Sequence, residues 1–193
     1  MTVGSLVAEI QQYVPYMKFS GGGVTVSGGE PLLQPDFVAA LLAECRRLGI
    51  HTALDSSGFA PAERARPVLE QTDLLLLDIK QPSLLRHKAL TGVDGRRPRT
   101  TARLAAAMGI PMWIRYVVVP GWTDDPADVE SLADLVLTLP TVEKVELLPY
   151  HVLGRHKWDA LGLPYALEGV EPPSEATMAR IRQQLTHRGI SVG

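Results

Sequence analysis

The chain has 193 residues, of which 46% are hydrophobic and 21% charged, and this balance predicts one domain over residues 1–193. A formal net charge of −2 and the absence of any apolar run near ~20 residues predict neither nucleic acid nor a membrane as partner. The first residues lack a signal-peptide pattern, which predicts a cytoplasmic protein. The single cysteine, Cys45, excludes an internal disulfide and a cluster held by several cysteines of residues 1–193.

Elements of the first half are predicted from the spacing of apolar residues and from the turn residues that bound each run. Pro15 and Gly49 are taken as helix stops. In chain order the predicted elements are a helix over 3–13, a strand over 23–27, a helix over 36–48, a strand over 51–55 and a short helix over 62–71 that contains Pro67.

The second half continues the alternation, and its first strand, over 74–79, is a continuous apolar run of the kind buried on both faces of a parallel sheet. After it the sequence predicts a helix over 100–108, a strand over 112–119, a helix over 126–138, a strand over 142–148, a loop over 150–173, a helix over 174–187 and a final strand over 190–192. Strands recur at about the spacing of βαβ units, so the predicted class is α/β with a parallel sheet. The pattern opens on a helix and a glycine loop, as if a leading strand were missing.

Polar residues follow the ends of the predicted strands, and in parallel α/β folds ligands bind at that edge of the sheet. Glycines let a backbone approach a ligand closely, acids accept from hydroxyls or amines, and a lysine or histidine meets a carboxylate. We therefore expect a binding rim for a zwitterionic, hydrogen-bonding ligand. The strand ends carry, in order, Ser27-Gly28-Gly29-Glu30, Asp55-Ser56-Ser57-Gly58, Asp78-Ile79-Lys80, Val119-Pro120-Gly121 and Pro149-Tyr150-His151.

Taken alone, each of these residues also has a purely structural interpretation. The glycine pair can be a turn, and Asp55 can cap the segment that follows it. Asp78 with Lys80 can be a surface ion pair, and His151 can be a structural histidine. The agreement of several strand ends favours the binding rim.

Three blocks of the sequence resemble the pyruvate formate-lyase activating enzymes, a family of glycyl-radical activating enzymes in the radical S-adenosylmethionine superfamily. The resemblance extends from about Val3 to the end of the chain, with the blocks in the family's order. The blocks are GGGVTVSGGEPL over 21–32, which contains the GGE motif, WIRYVVVPGWTDD over 113–125, and VEKVELLPYHVLGRHKW over 142–158.

The resemblance implies a partial β/α barrel and an oxidoreductase of anaerobic glucose metabolism. Members of this family bind S-adenosyl-L-methionine to a 4Fe–4S cluster through its amine and carboxylate. The reduced cluster cleaves the cofactor, and the resulting 5′-deoxyadenosyl radical takes a hydrogen atom from a glycine of pyruvate formate-lyase, the protein substrate. A reductant such as flavodoxin or ferredoxin supplies the electron.

The resemblance also assigns roles to individual residues, none of them as a metal ligand or a catalytic group. In the family the GGE backbone meets the methionine amino group, and the other matched positions contact the cofactor or lie on the same rim. Ser57 stands where the family often has an asparagine, and Arg115 matches an arginine that faces the barrel interior and is a candidate for gripping the partner's glycyl loop. The cofactor-binding residues implied are Gly28, Gly29, Glu30, Asp55, Asp78, Ile79, Lys80 and His151.

The chain departs from the family in one respect, because CxxxCxxC, whose thiolates hold the cluster, does not occur in residues 1–193. We therefore expect a chain that is N-terminally incomplete, without its first strand and cluster loop, and inactive alone, either from a start codon assigned too late or from a truncated gene. One alternative is a non-catalytic remnant that binds S-adenosylmethionine or the lyase. Another is a barrel enzyme of a different class, with Lys80 as a Schiff-base lysine beside Asp78.

Overall fold

The computed structural model describes residues 1–193, with every side chain except that of Lys157. Its centre is a sheet of five parallel strands whose spatial order follows the chain, which confirms the predicted α/β class. The strands are β1 (Gly23–Val26), β2 (His51–Ser56), β3 (Leu74–Asp78), β4 (Met112–Val118) and β5 (Val142–Pro149).

Helices connect the strands and pack on the sheet. Ser83, Asp125 and Ser174 cap three of them by accepting a backbone N–H of the first turn. The helices are α1 (Val3–Gln11), α2 (Val14–Ser20), α3 (Pro35–Arg47), α4 (Ala62–Leu69), α5 (Leu84–Thr91), α6 (Arg96–Ala107), α7 (Pro126–Leu137), α8 (Arg155–Ala160) and α9 (Glu175–His187).

The two faces of the sheet differ in burial, because the main core lies on one side. Along β4, Ile114 and Tyr116 are fully buried, whereas Arg115 and Val117 on the opposite face are only half-buried. We call this second side the open face. The expectation that 74–79 is buried on both faces is therefore wrong, since Leu74, Leu76 and Asp78 of β3 lie half-buried on the open face.

Proline and glycine explain two further differences. The predicted helix over 3–13 ends at Gln11, and Pro15 lies in the first turn of α2 instead of ending α1, because a proline in a first turn lacks only an N–H that has no helical partner. The sequence did not predict α5, whose short apolar pattern is weak. The chain leaves that helix at Gly92, where φ is +76°, a conformation that favours glycine.

The remaining differences concern element boundaries. Helix α6 begins at Arg96 rather than at residue 100, and the predicted loop over 150–173 contains a 3₁₀ turn (Val152–Gly154) and α8. The predicted strand over 190–192 reduces to a single parallel bridge between Val145 and Val192. Among the described helices, none is long and apolar enough to cross a bilayer.

Candidate functional site at the carboxyl ends of the strands

Because all five strands run parallel, their carboxyl ends lie along one edge of the sheet, which we call the rim. The loop after β1 contains two glycines, Gly28 and Gly29, whose backbone conformations differ. Gly28 has φ +132°, which side-chain-bearing residues rarely adopt, whereas Gly29 has no such constraint. A Cβ at either glycine would project into open space, so both leave backbone accessible at the rim.

The Glu30 side chain fastens this loop to the end of β2. Its Oε1 accepts the Leu32 N–H at 3.0 Å and the Ser56 hydroxyl at 2.7 Å. Its Oε2 accepts the Ser57 N–H at 2.9 Å and also the Ser57 hydroxyl. Four donors of the chain itself therefore satisfy the carboxylate, so Glu30 positions the loop, and the backbone of the loop is left to meet a ligand.

Four charged side chains form a second unit, here called the rim ion-pair group: Asp55 of β2, Asp78 of β3, Lys80 just after β3, and Arg115 of β4. The Arg115 Nη1 lies 2.7 Å from the Asp55 Oδ1, and its Nε lies 3.9 Å from the Asp78 Oδ1. The Lys80 Nζ lies 2.6 Å from the Asp78 Oδ2. Arg115 thus holds two carboxylates whose like charges would otherwise repel each other.

The rim ion-pair group is connected to the loop after β1 through Ser27, whose hydroxyl donates to the Asp55 Oδ2 at 3.0 Å. Sequence reasoning did not single out Ser27 or Ser56 as partners of these acids. The alternation of side chains along a strand could have indicated the contact, because it places Ser27 and Asp55 on the same face of the sheet at the ends of neighbouring strands.

Two implied residues have different surroundings. Ile79 is buried, and its N–H donates to the Arg115 carbonyl at 3.0 Å, so its side chain belongs to the core. His151 is exposed after β5, and among the contacts of the described residues no hydrogen bond or ion pair joins it to the rim ion-pair group. The structure therefore brings together Glu30, Asp55, Asp78 and Lys80, and leaves His151 apart.

Lys80 lies between two cavities at the rim. One, of about 280 Å³, is lined by Glu30, Ser57 and Lys80 together with apolar side chains. The other, of about 450 Å³, is lined by Lys80, Tyr150 and several aromatic residues. Burial, followed by a hydrogen bond with Tyr165, raises the pKa of the Tyr150 phenol to about 12, so that phenol stays protonated at neutral pH.

Cysteine ligands for an iron–sulfur cluster do not come from these residues. Cys45 is fully buried against Val7, Leu41 and Ile50, and burial raises the pKa of its thiol. Among the described side chains there is no group of three or more His, Cys, Asp or Glu residues that could hold a metal ion. The described residues of 1–193 thus do not fit the cluster.

The five-stranded parallel sheet, with a GGE loop after β1, is compatible with the fold of radical S-adenosylmethionine proteins. The Radical SAM superfamily profile matches residues 1–136, so the chain belongs to that superfamily, and its parallel sheet agrees with the partial barrel that the resemblance implied. Within that superfamily, the chain belongs to the family of pyruvate formate-lyase activating enzymes.

The similarity extends over the whole chain. The chain is 45% identical over 196 residues to the pyruvate formate-lyase 1-activating enzyme of Escherichia coli K12, and this alignment covers 100% of this chain and 79% of that protein. It is 44% identical over 195 residues to the Staphylococcus aureus USA300 pyruvate formate-lyase-activating enzyme, covering 98% and 78%.

Solved structures agree. A domain of the pyruvate formate-lyase-activating enzyme from Bacteroides vulgatus superposes with a TM-score of 0.74 at 30% identity, over 89% of this chain and 98% of that one. A radical SAM methyltransferase from Sphaerobacter thermophilus, with a TM-score of 0.73 at 19% identity over 100% of this chain and 57% of that one, shows the shared fold.

Proposed function

We propose that this chain provides the S-adenosylmethionine-binding and substrate-facing part of an enzyme that activates pyruvate formate-lyase by forming its glycyl radical. The observation that carries the proposal is the rim ion-pair group beside the accessible Gly28–Gly29 backbone. Membership of the activating-enzyme family supports the same activity. Such a protein acts as an oxidoreductase in the cytoplasm.

In this proposal the loop after β1 binds the amino group of the cofactor. Gly28 and Gly29 are exposed, their carbonyl groups are the proposed acceptors, and Glu30 fixes the loop through its four hydrogen bonds. The ammonium of Lys80, 40% exposed, faces both cavities and is placed to meet a carboxylate.

Asp55 and Asp78 orient this site rather than carry out chemistry. Arg115 holds both carboxylates, and each also accepts from a second donor, Ser27 or Lys80. Fixed carboxylates accept hydroxyl or amine donors of a ligand without reorganisation. The backbone around Ile79, and His151 at the far end of the rim, complete the proposed cofactor-binding set.

Bound S-adenosylmethionine supplies the radical that takes a hydrogen atom in this family. The 4Fe–4S cluster that the family implies finds no ligand set among the described residues of 1–193. The protein substrate in this proposal is pyruvate formate-lyase, and the electron donor is a reductant of the flavodoxin or ferredoxin type.

Titration calorimetry of the purified chain with S-adenosylmethionine tests the binding role. We expect saturable one-site binding, with methionine alone and adenosine alone weaker. Lys80→Met removes a charge-assisted contact worth ~1.5–3 kcal/mol and is expected to weaken binding at least about tenfold. Lys18→Met, which removes an exposed lysine on α2, is the matched control and should leave binding unchanged.

Two outcomes of these measurements contradict the proposal: heat changes that do not saturate, or equal affinities for the two lysine variants.

A second measurement is electron paramagnetic resonance after anaerobic incubation with the lyase, S-adenosylmethionine and reduced flavodoxin. Because residues 1–193 hold one buried cysteine, we expect no glycyl radical from this chain by itself. A glycyl radical signal would overturn that expectation.

The Schiff-base alternative receives no support from the geometry. A Schiff base requires an amine that is free to attack a carbonyl group, and the Lys80 Nζ instead lies 2.6 Å from the Asp78 carboxylate.

A further inference from the structure

Positive charge is concentrated in one segment. Residues 84–107, which contain α5 and α6, carry six Lys or Arg and one Asp, a formal +5 in a chain whose net charge is −2. The remaining residues therefore sum to −7. Such segregation produces a local field that attracts an anionic partner.

The chain gains no helix stability from this arrangement. Arg96, Arg97 and Arg99 occupy the first turn of α6, which contains no acidic residue, although the N-terminus of a helix favours negative charge. Burial, followed by repulsion from Arg103, lowers the pKa of Arg99. Asp94, the one acid of this segment, is an exposed partner of Arg96 at 3.5 Å. The excess charge is thus left largely uncompensated within the described residues.

Not every cation of the segment contributes to this excess. Arg86 pairs with Asp128 at 2.6 Å, and Arg99 donates to the Pro82 carbonyl. The exposed cations that remain define what we call the basic surface: Lys88 on α5 and Arg96, Arg97 and Arg103 on α6. The two helices meet where Gly95 packs against the ring of His87.

The basic surface borders the rim. The Arg97 guanidinium lies over the Phe59 ring, 4.7 Å from its centroid, which fixes a long side chain in place. Phe59 in turn lines the same cavity as Glu30 and Lys80. A macromolecule on the basic surface would therefore sit beside the proposed cofactor site.

Apolar side chains next to these cations favour a protein partner over a phosphate backbone. Leu85 of α5 is 82% exposed, and Val93, between α5 and α6, is 39% exposed. Arginine mixed with apolar side chains is typical of protein interfaces. A surface for nucleic acid would instead read phosphates through cations and polar groups.

We propose that the basic surface docks an acidic face of the protein substrate and so brings its glycine loop to the rim. This inference rests on the proposed function, because it takes pyruvate formate-lyase as that substrate. A protein substrate, unlike a small ligand, has to contact the surface that flanks the site.

Biolayer interferometry with the purified lyase of the same organism tests the inference at two salt concentrations. The variant R96Q/R97Q/R103Q removes three positive charges of the basic surface. The control K18Q/R47Q/R182Q removes three exposed positive charges from α2, α3 and α9, so both variants have the same net charge. We expect the first to weaken binding by about tenfold at low salt, mainly through the association rate, and the control to change it less than about twofold.

Each result decides between the proposals. Equal lyase affinity for the two triple variants overturns the basic surface while leaving the proposed function in place. No lyase binding by the wild-type chain, even when S-adenosylmethionine binds, overturns both the partner assignment and this inference. Tighter binding of a single-stranded oligonucleotide than of the lyase identifies a nucleic-acid surface and also overturns it.

Discussion

Ser57 donates both its backbone N–H and its hydroxyl to the Glu30 carboxylate, and this contact ties the loop after β1 to the end of β2. The two residues are 27 positions apart in the chain. The contact gives the GGE glutamate a structural role, because the four donors of the chain occupy the carboxylate oxygens that could otherwise accept from a ligand.

Glu30→Gln should destabilise the fold by about 1–3 kcal/mol, because an amide offers a donor where Ser57 already donates. A lower urea midpoint would show this. Glu44→Gln, which affects an exposed pair with Arg47 on α3, is the control and should change stability by less than about 0.5 kcal/mol. Equal midpoints for the two variants would contradict the role assigned to Glu30.

Arg115→Met should leave Asp55 and Asp78 facing each other without their shared cation. Since this pairing is about three-quarters buried, we expect a loss of ~1–3 kcal/mol and weaker cofactor binding. Denaturant unfolding and calorimetry measure the two effects. Arg47→Met, at an exposed ion pair, should have a much smaller effect on stability. Wild-type stability of Arg115→Met would contradict the role of Arg115 in holding the two carboxylates.

Gly28→Ala and Gly29→Ala should distinguish the effect of backbone strain on stability from the effect of an added methyl group on ligand binding. The first places a side chain at φ +132° and should lower stability by about 1–3 kcal/mol. The second adds a methyl group in open space, so stability should hold within ~0.5 kcal/mol while S-adenosylmethionine affinity falls. Thermal melts paired with titrations distinguish the two, and unchanged affinity in Gly29→Ala would exclude close approach of the cofactor there.

Glu130 should contribute a pH-dependent part of the stability. Hydrogen bonds from Gln184 and then Arg188 lower the pKa of its carboxyl, so its contribution is present above the unfolded pKa and is lost as pH falls through the folded pKa. From about pH 5 downward, where unfolded glutamate begins to titrate, the wild type should lose stability more steeply than Glu130→Gln. Chemical denaturation across this range measures the slopes. Glu9→Gln, at an exposed position on α1, should follow the wild type.

The sequence determined the elements whose signals are local. The period-two strands at 112–119 and 142–148, and the helix from Pro126, lie within a residue or two of the predicted bounds, because apolar spacing and caps act over a few residues. The residues of the rim were also recognisable, since parallel strands place their carboxyl ends at one edge. The three sequence blocks were sufficient to indicate the family, because each is a run of neighbouring residues.

Tertiary structure decided what each rim residue does. Asp55 and Arg115 are 60 residues apart, and only the pairing of β2, β3 and β4 brings their side chains within 2.7 Å. Burial of β3 on one face, and the docking of α5 against the start of α6, likewise depend on what packs against each segment. Local patterns specify the elements because their physics acts over a few residues. Contacts between distant residues arise only when those elements pack together.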